Sequence, residues 1–415
     1  MRIGEFAEKY SISRETLRYY VSVGLLSPRM QGKQMDFSER EEEDLRYILR
    51  LKKMRFNIRE IRSLIYLNRM SNMIESSTLD QFRTLMGSKR EELLREKQDI
   101  DVSLQMIAEM EEELERNRDI SVEETGGVPL SAISLLACPC CGKPLEITNA
   151  NIRSKYIYSG ELTCMCGYRA QIVNGILCTG NEYSGDYDSP DLTRKLYHDT
   201  GEEWTVASAK CSDFLLETLA DKSLSRQVIL EANVNGYFFV YNFLSDLPKD
   251  CLYIIIDKYE EVLARYKMYI ERLYPNLDIL YIADASERFP LRTQSVDLFV
   301  SMFGENEYGL YHKNCQMREL YDILKPSGQI VGVFQSFSLH SATWRNLCRQ
   351  YPEGSDRRSN IDCLQTDLME GGYKLEMQLL GKLTKTLKHH IYKSHVDGEE
   401  ILLYGIQAWK QGGGR

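Results

Sequence analysis

The sequence predicts a multidomain chain: an all-α helix-turn-helix head, a coiled-coil helix, a small cysteine ribbon and an α/β doubly wound domain. Three observations carry this prediction. The chain has 415 residues, several times the usual length of one domain. Six of its eleven cysteines fall between Cys138 and Cys178. From about residue 205 onward, short apolar runs alternate with helical patterns, as in domains built on a parallel sheet.

Composition narrows the class. Apolar residues make up 43% and charged residues 27%, the balance of a globular protein. No stretch approaches the roughly 18 uncharged apolar residues of a membrane helix. The opening MRIGEFAEKYSISRE carries charges throughout and lacks the apolar core of a signal peptide, so a cytoplasmic protein without a membrane partner is expected. In that setting clustered cysteines point to a metal site rather than to disulfides. Residues 1–70 hold 15 Lys/Arg against 10 Asp/Glu, and the other 345 hold 37 against 51. A basic head on an acidic body fits one nucleic-acid contact surface.

Residues 3–10 and 14–23 read as two short helices. Ile3, Phe6 and Ala7 share one face of the first; Leu17, Tyr20 and Val21 share one face of the second. Ser13 can cap the second helix, and Gly24 to Pro28 end it. Two short helices joined by a tight turn can place the second in the major groove, with Arg14, Thr16 and Arg18 available to base edges or phosphates. The spacing alone fits any small helical bundle as well.

The wording is more specific. TLRYYVSVGLLSP, followed by DFSEREEEDLRYILRLKKMRFNIREIRSLI, resembles the DNA-binding domain of MerR-family transcription regulators over residues 1–70. The resemblance implies a winged helix-turn-helix that contacts double-stranded promoter DNA, with Tyr19 and Tyr20 added to the reading helix. The wing would run from Ser27 to Phe37, with Arg29 and Lys33 on phosphates. Where that family has an Arg-Arg-Tyr-like stretch, this chain has Met35-Asp36-Phe37. The resemblance also implies distortion of promoter DNA, which changes the alignment of its elements for RNA polymerase.

Over residues 71–120, Met86, Leu93, Ile100, Ile107 and Leu114 recur every seven residues, with Phe82 four residues before Met86 and Leu104 four after Ile100 beside the same seam. Such a repeat implies a coiled-coil seam and hence a homodimer, which would present two heads to a pseudo-palindromic operator. RNRDISVEETGGVPLSA then loses periodicity and reads as a linker.

Between residues 130 and 180, Cys138 and Cys141 have CxxC spacing, and Cys164 and Cys166 form a CxC pair. Four soft ligands on two glycine-containing turns suit a structural zinc ion. Cys140 and Cys178 are spare thiols, either of which could replace one of the four, and buried free cysteines or a redox pair are the alternatives. LTCMCGYRAQIVNGILC resembles the small zinc ribbons found ahead of some methyltransferase domains.

In the final part, residues 200–415, the expected strands are Gln227–Leu230, Leu252–Ile256, Asp278–Ile282, Val296–Ser301 and Gln329–Phe334. Helices are expected over Tyr259–Leu273 and Gln316–Leu324. The runs VILEANVNGYFF, YIIIDKYEEVLARYKM, IADASERFPLRTQSVDLFVS and ELYDILKPSGQIVGV resemble class I S-adenosylmethionine-dependent methyltransferases, a Rossmann-like fold. The resemblance implies that Glu231 closes the first strand beside the cofactor loop, that Asp257 accepts from the ribose hydroxyls, and that Asp284 and Ala285 lie along the adenine. Where that family alternates glycines, this chain has Asn233, Asn235 and Tyr237, with Gly236 off the pattern. Asn tolerates the left-handed backbone such a turn needs, but its side chain crowds the pocket. Glu305, Glu307, Tyr308 and His312 follow the fourth strand, and none is assigned a catalytic role. His389, His390 and His395 read as a polar edge or loop.

The leading expectation is a dimeric transcription regulator whose methyltransferase-like half senses a small-molecule effector. An active S-adenosylmethionine-dependent methyltransferase with a DNA-binding regulatory head, acting on a small molecule or a nucleic acid, is the alternative. A third possibility is that this half is only a dimer-stabilising scaffold.

Overall fold

The computed structural model describes residues 1–32, 34–70, 76–118, 126–193, 201–220, 222–385 and 394–411. The chain divides into two units, Met1–Ser121 and Val122–Arg415.

In the first unit, α1 (Ile3–Lys9) and α2 (Arg14–Ser22) are joined by a short turn, and Ser13 Oγ accepts the Thr16 N–H at 3.0 Å to start α2. A hairpin follows, β1 (Arg29–Gln31) on β2 (Gln34–Asp36), with Gly32 near its tip at φ 63°. Next comes α3 (Glu39–Lys53), opened by a reciprocal Ser38–Glu41 cap, then α4 (Ile58–Met70) and the 43-residue α5 (Ser76–Arg118). Phe6, Leu17, Tyr20, Leu25, Leu45 and Ile61 form the core. Arg69 ties α4 to the turn after α2, reaching the Leu25 carbonyl at 2.7 Å and Asp44 at 2.6 Å.

The start of α5 differs from a free seam. Phe82, Leu85 and Met86 pack against the head's core, because the apolar stripe there meets the head's own buried residues. Beyond them Leu94, Ile100, Leu104, Ile107, Met110 and Leu114 are exposed, by 49% at the least.

The second unit is one mixed sheet. Its strands are β3 (Val128–Pro129), β4 (Glu146–Arg153), β5 (Tyr156–Thr163), β6 (Arg169–Val173), β7 (Ile176–Cys178), β8 (Val228–Ala232), β9 (Leu252–Asp257), β10 (Asp278–Ala283), β11 (Val296–Met302), β12 (Leu324–Ser336), β13 (Tyr373–Leu383) and β14 (Ile401–Lys410). Helices α6 (Glu202–Ala220), α7 (Phe239–Asn242), α8 (Glu260–Leu273), α9 (Gly304–Tyr311), α10 (Gln316–Glu319), α11 (Ala342–Gln350) and α12 (Ile361–Glu370) connect or cover them.

The strand order is β13-β14-β12-β11-β8-β9-β10-β7-β6-β5-β3, with β4 also on β5. From β12 to β7 the pairs are parallel; β14 is antiparallel to β12. This is a Rossmann-like arrangement. The chain order reverses between β8 and β11, where doubly wound sheets open a crevice at their strand C-termini. Side-chain alternation builds a core on each face: Tyr253, Ile255 and Val300 on one, Leu230, Ile254 and Phe299 on the other.

Two elements depart from expectation. The linker ends earlier than its composition suggests, because Val128 and Pro129 pair with Ile157 and Tyr156. Of that linker, residues 119–125 lie outside the described residues. The helix expected over Gln316–Leu324 stops at Glu319, and after a 3-10 turn Leu324 opens β12. Pro326 favours extended backbone at Lys325, so the helix cannot run on. The cysteine segment also joins the α/β sheet directly, since β7 pairs with β10.

Candidate functional site

On α2 the side chains sort by face. Leu17 and Tyr20 are buried, whereas Arg14, Arg18 and Tyr19 are exposed and Thr16 is half-buried. Tyr20 therefore departs from its expected role on DNA: at 3% exposure its ring is part of the core. Arg29 is exposed on β1, and Lys33 lies outside the described residues. Asp36 binds the terminal ammonium at 2.6 Å, and Phe37 stacks on Phe6 at 4.6 Å. The Met35-Asp36-Phe37 departure thus anchors the hairpin to α1 instead of offering charge to phosphate.

The second cluster is the four cysteines. The Sγ atoms of Cys138, Cys141, Cys164 and Cys166 all lie within 4.8 Å of one another, and the closest pairs are 3.4 and 3.5 Å apart. A tetrahedral zinc with Zn–S of about 2.3 Å needs S···S separations of about 3.8 Å, so the donor set fits the metal. Each turn closes on a glycine: Gly142 N–H donates to the Cys138 carbonyl at 2.8 Å, and Gly167 N–H to the Cys164 carbonyl at 2.9 Å. Both glycines have positive φ, which the turns require. Cys140 and Cys178 stay outside the group. These four residues could hold zinc, with no histidine or carboxylate in the set.

The third is the crevice. Asn233 takes φ 60°, the left-handed turn its position needs, and its amide donates to Gln316 Oε1 at 2.7 Å. Glu231 is spent on the start of α7: its two oxygens accept the Phe239 and Val240 N–H groups, both at 2.8 Å. Burial pushes its carboxyl up to about 8. Asp257 accepts the N–H groups of Asn235 at 2.8 Å and Tyr259 at 3.0 Å, and burial pushes it up to about 6. Gly236 has room around it; a Cβ there would come no closer than 3.5 Å to Glu307. Gly304 has none, because a Cβ would meet the Ala232 carbonyl at 2.7 Å, so α9 begins hard against the end of β8.

Residues 179–193 cross these strand ends. Asn181 donates to Asp284 Oδ1 at 3.1 Å, and its carbonyl accepts the Ala285 N–H at 2.8 Å. Asp188 pairs with Lys258 at 2.6 Å. Asn235 Oδ1 accepts the Asp191 N–H at 2.8 Å, and its amide reaches the Ser189 carbonyl at 3.3 Å. The Lys258 ammonium also stands 3.4 Å from Glu307, 3.5 Å over the Tyr311 ring and 5.0 Å from that of Tyr183. Asn235, Asp257, Asp284 and Ala285 thus come together at the strand ends, each already engaged by the chain itself. These residues could hold S-adenosylmethionine only with residues 179–193 moved aside, since that segment bonds Asn235, Asp284 and Ala285, while Asp284 Oδ2 stays buried without a partner. A cavity of about 500 Å³ is lined by Asn181, Tyr183, Lys258, Tyr259 and Ala283.

The sequence reading missed Lys258 and the strap across it. A lysine directly after the second-strand acid was the one visible signal. Glu305 caps the N–H groups of Gln316 and Met317, and His312 stacks on Tyr308 and touches the Ala285 carbonyl at 3.2 Å. His395 meets the Glu399 carbonyl at 2.9 Å; His389 and His390 lie outside the described residues.

Residues 1–67 match the family described as MerR HTH family regulatory protein. The mercuric resistance operon regulatory protein of Bacillus cereus is 28% identical over 122 residues, 29% of this chain and 89% of that protein. The HTH-type transcriptional regulator HmrR of Rhizobium leguminosarum bv. viciae is 32% identical over 68 residues, 16% of this chain and 53% of that one. Among solved structures, a Haemonchus contortus phosphoethanolamine N-methyltransferase 2 with S-adenosyl-L-methionine has TM-score 0.37 at 13% identity, covering 52% of this chain and 56% of that one. An S-adenosylmethionine-dependent methyltransferase of Listeria monocytogenes, described as putative, has TM-score 0.33 at 15% identity, covering 50% and 99%. No helix among the described residues is long and apolar enough to cross a membrane.

Proposed function

We propose that this chain, which carries a MerR HTH family domain at its N terminus, is a cytoplasmic transcription regulator that binds promoter DNA as a homodimer. The observation that carries the reading is the sorting of α2: Leu17 and Tyr20 turn inward, which leaves Arg14, Arg18 and Tyr19 outward on one face. A helix presented this way suits the major groove, with the β1–β2 hairpin and Arg29 as the backbone contact. Lys33 belongs to the same proposed surface.

The exposed stripe from Leu94 to Leu114 supports pairing through α5, since a run of large apolar side chains is costly to leave in water. Two heads on one dimer then distort the promoter and change its alignment for RNA polymerase, with part of the specificity coming from DNA deformability. The domains read as 1–70 for DNA, 71–120 for pairing, 130–180 for zinc and 200–415 for sensing. The closed crevice and the cavity beside Lys258 support a small-molecule effector: a ligand that favours one arrangement of the chain shifts DNA occupancy. Fluorescence anisotropy with the chain's own promoter, against a random duplex at equal salt, tests the reading. A clear preference for the promoter supports it, and equal affinity for both removes it.

A further inference from the structure

The molecule holds a second cavity, of about 290 Å³, among α9, the turn leading into α10, and residues 355–359 before α12. Its lining is rich in cations: Lys313, Arg318, Arg357 and Arg358. Arg358 is the unusual one. It is only 6% exposed, and its guanidinium donates to the backbone carbonyls of Ser355 and Tyr351. Among the described residues no carboxylate lies within ion-pair distance of it. A guanidinium carries five N–H donors, so two carbonyls leave it under-used. The exposed Asp356 attracts it only from beyond ion-pair distance, so this buried cation is poorly compensated.

The acids around the cavity do not supply that charge. Both Glu305 oxygens accept backbone N–H groups, from Gln316 at 3.0 Å and Met317 at 2.8 Å. Asp367 pairs with Arg357 at 3.0 Å. On the rim Arg318 is held only loosely, 3.6 Å from Glu370, and Lys313 makes no ion pair among the described residues. Besides the Asp367–Arg357 pair, the lining holds Lys313, Arg318 and Arg358 against Glu305 and the exposed Glu319, an excess of one positive charge.

We propose that this cavity is a binding site for a small molecule bearing an oxyanion, a phosphate or carboxylate group that sits on the Arg358 guanidinium with Lys313 and Arg318 at its mouth. Guanidinium forks match both groups through paired N–H···O bonds, and the volume suits a compact ligand. The site is separate from the crevice beside Lys258 and does not depend on the sensing role proposed above.

Calorimetry on the full-length, zinc-loaded protein without DNA tests this, with inorganic phosphate and acetate titrated separately at constant ionic strength in chloride. Saturable binding of at least one anion is expected, weakened about tenfold or more in Arg358→Gln. Lys313→Gln with Arg318→Gln, both on the surface and harmless to folding, should weaken it about threefold each and keep the proposal testable if the Arg358 variant does not fold. Tighter phosphate assigns a phosphorylated ligand, and tighter acetate a carboxylate. The head also meets phosphate, so the variants decide. Binding absent for both anions, or unchanged in the rim variants, overturns the site.

Discussion

Arg18 and Tyr20 stand two residues apart on α2 and do opposite work, one facing solvent and one filling the core. Arg18→Ala should therefore weaken binding to every DNA sequence alike and reduce the salt slope by about one unit, read from anisotropy at several salt concentrations. An unaltered slope would remove Arg18 from the phosphate contacts. Tyr20→Ala should instead cost the head about 3 kcal/mol of stability, the usual penalty for an aromatic cavity. The acids behave differently. Burial raises the folded-state values of Glu231 to about 8 and Glu305 to about 7, above the ordinary carboxyl range. The folded form then holds protons the unfolded chain has released, so their contribution to stability is complete in acid and is lost as pH rises through those values. All three tryptophans, Trp204, Trp344 and Trp409, lie in the sheet unit and report its melting alone. That melting temperature should fall from about pH 4.5, the ordinary carboxyl value, to about pH 8, and Glu305→Gln should flatten the fall. Residue types were legible in the sequence: the four thiols and the strand-end acids stood out. Their partners were not, because Asp188 meets Lys258 and Asn181 meets Asp284 across long loops that no local pattern encodes.

Among the elements, α5 shows how a heptad can serve two tasks. Its first turns pack on the head, and only the later ones leave apolar groups in solvent. Replacing Ile100 and Ile107 by Asp should then yield a folded monomer by sedimentation, with the head intact; a retained dimer would remove α5 as the pairing surface. The central strands were readable because a buried parallel strand is a continuous apolar run, as in YIII and LFVS. The edge strand β13 was not: its exposed residues mix Lys374, Glu376 and Gln378 with Met377 and Leu379, so no alternation marks it, and its pairing with β14 is set by a distant stretch of chain. The strap over residues 179–193 has no periodicity at all and is defined by its bonds. Asp188→Asn should loosen it, and affinity for S-adenosylmethionine should rise several-fold over wild type by calorimetry. An unchanged affinity would show that the strap does not exclude that ligand.

Across the whole molecule, the cysteine turns and the α/β sheet, expected as neighbours on a string, share one set of hydrogen bonds. Strand β7 is the joint. It pairs with β6 of the cysteine segment on one side and with β10 on the other, matching Cys178 to Ala283. Thr179, its next residue, is already bonded to the Ala283 carbonyl at 3.1 Å, and the strap begins there. Cys138→Ser with Cys141→Ser should release zinc and speed hydrogen exchange over residues 130–180; wild-type metal content would argue against the four-thiol site. The same geometry carries a second effect. Only residues 167–178, through β6 and β7, connect the metal knuckles to the strap, so metal starvation would slacken the cover over the crevice while the central strands stay whole, and the protein would register zinc supply at a place where no zinc ligand stands.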